Sequence, residues 1–174
     1  MLFLGSFPPP AKRWSIPFYY PNWINDFWRI MGMIHYEDKD HFCISGQKRF
    51  DETAIRAFCE EAGLAFYDTA CAVRRLKDNA SDACLEVVAQ TDVKALLQQI
   101  PNCVAVIATG QKSAEIVAGQ FGCGIPPVGS YTECLIETAA EGSHIIRFWR
   151  MPSTSRAYPL PIQKKAELYR RLFE

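Results

Sequence analysis

Two short stretches, one near each end of the 174-residue chain, carry the residue types that chemistry needs. The first reads Gly5-Ser6-Phe7-Pro8 and continues into Phe18-Tyr19-Tyr20-Pro21-Asn22-Trp23-Ile24-Asn25-Asp26-Phe27-Trp28. The second reads Met151-Pro152-Ser153-Thr154-Ser155-Arg156. Flat rings beside side-chain amides suit a planar, uncharged, hydrogen-bonding ligand such as a nucleobase. Hydroxyls followed by an arginine suit phosphate oxygens. Asn25 is the candidate to hold a water molecule, because an amide both donates and accepts but is a poor base. Backbone N–H groups at the Ser6-Phe7 turn are candidates to stabilise a developing negative charge. Tyr20 is the first candidate for a stacking ring and Phe7 the second.

Each of these residues also has a purely structural reading. Asn25 could cap or enter a helix. Gly5 and Pro8 could be turn chemistry, and Pro152 to Ser155 an ordinary loop held by hydroxyl turns. Asp68, at the end of an apolar stretch, is equally a cap or ion-pair residue and a site residue. His35, His41 and His144 have no spaced partners and read as ordinary surface or core histidines.

These residues must be positioned by regular elements, and the pattern alternates strands with helices. Leu2-Phe3-Leu4 reads as a buried strand. A helix is expected to open near Asn22–Asn25, with Phe27, Trp28, Met31 and Ile34 inward. His35 to Gly46 reads as a surface loop, and Phe50 to Ala62 as a helix stopped by Gly63. Leu64 to Ala72 reads as a second strand, and Arg74 to Asn79 as a polar loop. Ser81 to Ala89 is ambiguous. Thr91 is the expected cap of a helix with Val93, Leu96, Leu97 and Ile100 inward. Cys103 to Ala108 is an uninterrupted apolar run, as in a parallel strand covered on both faces. Thr109-Gly110 turns into a helix over Gln111 to Gln120, and Gly122 to Gly129 is a loop. Glu133 to Ile136 is a candidate edge strand, and His144 to Trp149 the last central strand. Pro161 to Phe173 is an amphipathic helix with Ile162, Ala166, Tyr169 and Phe173 inward. The fold class expected is α/β, a three-layer αβα sandwich around a short, mostly parallel sheet, in a single domain over 1–174.

The totals bound the partners. Net charge is zero and the hydrophobic content is 49%, which argues for a globular protein and against one coated in basic charge. A local basic patch from Lys12, Arg13, Lys112 and Arg150 would suffice for a nucleic-acid footprint. The seven cysteines are scattered without a C-x-x-C pair, so neither zinc nor an iron–sulfur cluster is indicated, and the expectation is a protein with no metal and no cofactor. The opening residues are too short for a signal peptide, and no stretch is apolar enough to span a membrane. A cytoplasmic monomer with no membrane partner is the expectation.

With these residues in view, the chain resembles the uracil-DNA glycosylase superfamily, most nearly its mismatch-specific and hypoxanthine-DNA glycosylase branch. Gly5-Ser6-Phe7-Pro8, Tyr19-Tyr20 and Asn25-x-Phe27-Trp28 are similar to that branch's first motif. Tyr67-Asp68-Thr69, Ser81-Asp82 and Cys103 to Gly110 follow in order. Met151-Pro152-Ser153-Thr154-Ser155 is similar to its Pro-Ser loop, which enters the DNA minor groove. Asn22-Trp23 stand where the branch has His-Pro, Met151 stands where strong uracil excisers carry His, and Thr109 replaces an Asn.

The resemblance implies a monofunctional DNA glycosylase that flips a deaminated base, uracil first and hypoxanthine second, and hydrolyses its N-glycosidic bond. DNA would be the partner and base-excision repair the role. Asn25, Ser6 and Phe7 would serve catalysis. Gly5, Tyr20, Phe7, Asn22 and Asp68 would line the base. Pro152, Ser153, Thr154, Ser155, Arg156 and Lys112 would contact DNA, with Arg156 filling the gap the base leaves. Two other readings stay open: a nucleobase- or nucleic-acid-binding domain of the same fold with little or no catalysis, and a hydrolase of small nucleosides.

Overall fold

The computed structural model describes residues 1–75, 85–138 and 142–174. Over these residues the chain forms an α/β protein with a mostly parallel five-stranded sheet and five α-helices. It divides into two compact units, each discontinuous in sequence: Met1–Phe7 with Ala65–Met151, and Pro8–Leu64 with Pro152–Glu174.

The first unit holds the sheet. Numbered along the chain, its strands are β1 (Leu2–Gly5), β2 (Ala65–Asp68), β5 (Ala105–Thr109), β6 (Ser130–Thr138) and β7 (Gly142–Met151), in the order β2-β1-β5-β7-β6. The first three pairings across that order are parallel, and β6 closes the edge antiparallel to β7. All five residues of β5 are buried, as a central parallel strand requires. β6 instead alternates, with Cys134 and Ile136 buried and Glu133, Leu135 and Glu137 exposed. That is the period of a strand with one wet face. Helices α3 (Val93–Gln99) and α4 (Gln111–Phe121) cover the core. Val93, Leu97, Ala114 and Val117 meet Leu2, Leu4, Val106, Ala108, Ile146 and Phe148 in one apolar cluster.

A two-stranded antiparallel hairpin, β3 (Ala70–Arg75) and β4 (Leu85–Gln90), completes this unit. It corrects two sequence expectations. The apolar stretch Leu64 to Ala72 is not one strand. It breaks after Asp68, where Thr69 sends both its N–H (2.8 Å) and its hydroxyl (3.0 Å) to the Gly5 carbonyl and turns the chain. Arg74 and Arg75, expected in a loop, lie in β3 opposite Glu86 and Leu85. The rest of that loop and the Ser81-Asp82 pair fall within 76–84, outside the described residues. Thr91 is not the cap of α3 either. Asp92 is, accepting the Ala95 N–H at 3.0 Å, while the Thr91 hydroxyl donates to the Asp68 carbonyl at 2.7 Å.

The second unit holds α1 (Phe27–His35), α2 (Glu52–Glu61) and α5 (Ile162–Arg170). α1 buries Phe27, Trp28, Ile30 and Met31, and Phe27 meets Tyr169 of α5 edge to face at 6.3 Å. Asp51 caps α2 through its bond from the Ala54 N–H. Gly63 ends the α2 segment with φ at +62°, the left-handed conformation that glycine takes without strain. α1 begins at Phe27, later than the Asn22–Asn25 expected, because residues 22–26 are occupied with turns of their own.

Candidate functional site

The predicted residues fall into two groups. Gly5, Ser6, Phe7, Asp68 and Lys112 belong to the sheet unit, and Tyr20, Asn22, Asn25 and Pro152 to Arg156 belong to the helical unit.

In the sheet unit, Gly5 and Asp68 are register partners at the ends of β1 and β2. β1 leads to β2 on one side, whereas β5 leads to β7 on the other, so the sheet's topology switches between β1 and β5. Open α/β sheets bind ligands outside the strand ends at such a switch. Here those ends are Gly5-Ser6 and Thr109-Gly110. They are fixed by backbone and hydroxyl bonds: the Thr109 hydroxyl donates to the Leu4 carbonyl (3.2 Å), the Ala70 N–H to the Ser6 carbonyl (3.1 Å) and the Gly110 N–H to the Met151 carbonyl (3.0 Å). Gly110 takes φ of +120° as it enters α4, a conformation closed to residues with a side chain. Lys112 is half-buried in the first turn of α4. Arg150 donates to the Gln111 side chain and the Pro126 carbonyl. A shallow open hollow of about 320 Å³ in this unit is lined by Gln90, Thr91, Asp92, Lys94 and Gln120 and holds none of the predicted residues. The Gln120 amide is already committed there, accepting from the Val93 N–H and donating to the Thr91 carbonyl.

In the helical unit the later part of the first motif meets the Pro152–Arg156 loop. Asn25 and Ser155 form an isolated antiparallel bridge, and the Asp26 N–H donates to the Thr154 carbonyl at 3.0 Å. Asn22 joins the same turn, its carbonyl accepting the Asn25 N–H at 2.8 Å. Tyr20 lies flat on Phe27, with ring centroids 4.0 Å apart and planes 4° from parallel. Its φ is +51°. A bulky residue in the left-handed region costs on the order of 1–3 kcal/mol and persists where the surroundings over-determine it, often at functional sites.

The polar side chains share one pattern. Asn22 Oδ1 accepts the Ile24 N–H (3.2 Å), Asn25 Oδ1 the Phe27 N–H (2.9 Å), Ser153 Oγ the Ser155 N–H (3.2 Å) and Ser155 Oγ the Ala157 N–H (3.3 Å). Each is a side-chain turn two residues long. The turns use acceptors only. The two amide NH₂ groups and the two hydroxyl hydrogens make no hydrogen bond among the described residues. Pro152 and Thr154 are buried and serve as framework, the Pro152 carbonyl accepting the Tyr169 hydroxyl at 2.8 Å. Ser155 and Arg156 are exposed.

Charged residues that the sequence patterns did not single out hold this junction. Asp26, Arg29 and Lys165 are all buried. Asp26 Oδ1 accepts from Arg156 Nε at 2.9 Å, and Asp26 Oδ2 lies 3.8 Å from Lys165 Nζ. Lys165 Nζ donates to the Ser155 carbonyl at 2.8 Å. Arg29 donates to the Trp23 (2.8 Å) and Asn25 (3.2 Å) carbonyls, with its guanidinium 4.2 Å from the Trp23 ring centre. Burial pulls both Arg29 and Lys165 below their ordinary pKa, and Asp26 opposes the shift in each. Lys165 could have been found in the sequence: Ile162, Lys165, Ala166 and Tyr169 share one helical stripe, so its ammonium falls on the inward face. Among the described residues no group of His, Cys, Asp and Glu side chains could hold a metal ion. No helix there is long and apolar enough to cross a membrane. No protein-family model matches the chain, and no curated protein matches it in sequence.

Proposed function

We propose that the protein is a monofunctional DNA glycosylase that hydrolyses the N-glycosidic bond of a deaminated base, uracil first and hypoxanthine second, and that its α/β architecture is the three-layer sandwich of the uracil-DNA glycosylase superfamily. The observation that carries the reading is the bridge between Asn25 and Ser155. Residues 130 positions apart, each picked from its own motif, are paired backbone to backbone. A chance pair of loops would not need to meet.

Two further features support it. Four turns each use one acceptor position of Asn22, Asn25, Ser153 and Ser155 and none of their donors, which suits the acceptor-rich edge of a base and phosphate oxygens. Arg156, half exposed beside the junction, is a cation that a phosphate could reach.

In the reaction, water adds its oxygen to the sugar carbon as the carbon–nitrogen bond breaks, and the base leaves with the electron pair and takes up a proton. Asn25 orients the water. Its Oδ1 has a second lone pair beyond the one facing Phe27, and Nδ2 donates. The negative charge that collects on the departing base calls for hydrogen-bond donors aimed at it. Tyr20 supplies the ring against which the base stacks, a contribution of about 1–3 kcal/mol. Ser153, Ser155 and Arg156 face the phosphates.

The test uses duplexes carrying one uracil, hypoxanthine or xanthine, cleaved with alkali after incubation. Native protein should produce breaks, and Asn25→Ala should lower the rate on the order of 100-fold or more. Asn25→Ser keeps an acceptor for the Phe27 N–H but loses the amide, so it should fold normally and be equally impaired. Full activity in Asn25→Ser removes Asn25 from the chemistry. The bond from Phe27 to Asn25 Oδ1 also favours a second reading, a binding domain of this fold without catalysis. Tight duplex binding with no breaks from any base would select it.

A further inference from the structure

α5 runs alongside the Pro152–Arg156 loop and reaches it with two donors one helical turn apart. The Tyr169 hydroxyl donates to the Pro152 carbonyl at 2.8 Å, and Lys165 Nζ donates to the Ser155 carbonyl at 2.8 Å. Both side chains are fully buried. Asp26, the residue after Asn25, stands across from them and receives Arg156 at 2.9 Å. Its N–H donates to the Thr154 carbonyl at 3.0 Å.

From this arrangement we infer that Lys165 is a positioning residue: with Asp26, its ammonium holds the Ser155 carbonyl and so keeps the hydroxyl loop paired with the Asn25 turn. The inference rests on the glycosylase reading for its catalytic consequence, but not for its structural one.

Stability alone is a poor account of this lysine. A buried ammonium costs several kcal/mol in lost hydration, and an apolar side chain of similar volume is often neutral or better in its place. Its distance to Asp26 Oδ2, 3.8 Å, is that of a loose ion pair. What a methionine there could not do is donate to Ser155. The junction has one isolated bridge and no ladder to fix its register, so an anchored carbonyl on each side of Ser153 and Thr154 decides where those residues lie.

The test compares Lys165→Met, which keeps the volume and loses the donor, with Lys165→Arg, which keeps charge and donors. Amide hydrogen exchange without DNA reads the Asp26 N–H, whose partner is the Thr154 carbonyl. Uracil excision reads kcat and KM. Lys165→Met should retain its far-UV circular dichroism while the Asp26 amide exchanges ~10-fold faster or more. Its kcat should fall on the order of 10- to 100-fold with little change in KM, and Lys165→Arg should recover part of both. Native exchange and native kcat in Lys165→Met would overturn the inference. Should Lys165→Met fail to fold, Lys165→Gln, with a neutral donor on a shorter stem, decides it: intermediate protection at Asp26 supports the role and native protection overturns it. Wild-type protein that excises no base would defeat the glycosylase reading, yet the exchange result would still decide what Lys165 does.

Discussion

The strand ends of the sheet unit and the Asn25–Ser155 junction of the helical unit are held in place by opposite means. At the strand ends, position follows from parallel ladders in unbroken register, trimmed by the hydroxyls of Thr69, Thr91 and Thr109. These groups are neutral. At the junction there is a single bridge, and the carbonyls of Trp23, Asn25 and Ser155 are gripped by Arg29 and Lys165. Those groups are charged and buried. A ladder spreads its free energy over many bonds, whereas a buried charge cluster concentrates it in a few. The sheet ends should therefore tolerate loss of any one hydroxyl, and the junction should not tolerate loss of its carboxylate.

The largest expected effect follows from that contrast. Asp26→Ala leaves the Lys165 ammonium buried without its carboxylate and releases Arg156. Breaking one side of such a pair costs about 3–5 kcal/mol, and urea denaturation should show a loss of that size. Thr91→Val removes one hydroxyl bond to the Asp68 carbonyl and should cost about 1–2 kcal/mol. Equal losses in the two variants would break the comparison.

Arg29 comes next. Its guanidinium spans two carbonyls and lies against Trp23 and Phe50. Arg29→Met keeps most of the apolar contact and loses the charge-assisted hydrogen bonds, at about 1.5–3 kcal/mol. Arg29→Lys should not restore them fully, because a point charge cannot cover two carbonyls while stacking on a ring. A Lys variant as stable as the native protein would show that charge alone, rather than geometry, holds the turn.

The contrast also governs what the sequence discloses. The strand ends were legible: Leu2-Phe3-Leu4 and the run to Ala108 are hydrophobic patterns, and a strand followed by Gly-Ser or Thr-Gly marks its own exit. The break after Asp68 was not, because only Asp68 and Thr69 interrupt an otherwise apolar run and no Gly or Pro marks the turn, which Thr69 makes with Gly5, a bond between residues 64 positions apart. Asn25, Ser153 and Ser155 could be picked by residue type, and so could their structural roles as turn formers. Asp26 and Arg29 could not, since charge in a sequence ordinarily means solvent. Only the helical stripe through Ile162, Ala166 and Tyr169 puts Lys165 inside. Nothing local marks Tyr20 for a left-handed backbone. Long-range pairing decides these positions, and it is invisible to a window of neighbouring residues.

Arg156 tests how far the charge cluster reaches. Its side chain is 49% exposed, against 8% for Asp26. An ion pair that is half in water is worth little, about 0–1 kcal/mol, and weakens with salt. Arg156→Ala should therefore barely shift the urea midpoint, and on the proposed glycosylase reading it should weaken duplex binding and lower its salt dependence. A loss of stability comparable to that of Asp26→Ala would mean that Arg156, rather than Lys165, is the partner that Asp26 needs.

The smallest expected effect concerns acid. His35, in the last turn of α1, meets the Phe58 and Phe173 rings edge-on at 4.9 and 4.5 Å. Burial against them lowers its pKa from the ordinary 6.5. The unfolded chain therefore binds a proton more readily than the folded one. The stabilisation is complete above about pH 6.5 and is lost as pH falls from there through the folded-state value. His35→Gln cannot titrate in this range. Between pH 7.5 and 5.5 the native urea midpoint should drop slightly more than that of His35→Gln, because the carboxylates contribute to both proteins alike. The sheet ends are held by threonine hydroxyls and backbone, which do not titrate there, so the acid-sensitive part of the unfolding should be confined to amides of the helical unit in hydrogen exchange. Equal midpoint shifts in the two proteins would remove His35 as the source, and acid-induced exchange at Gly110 or Thr69 would show that the neutral strand ends are not the insensitive half of the pair.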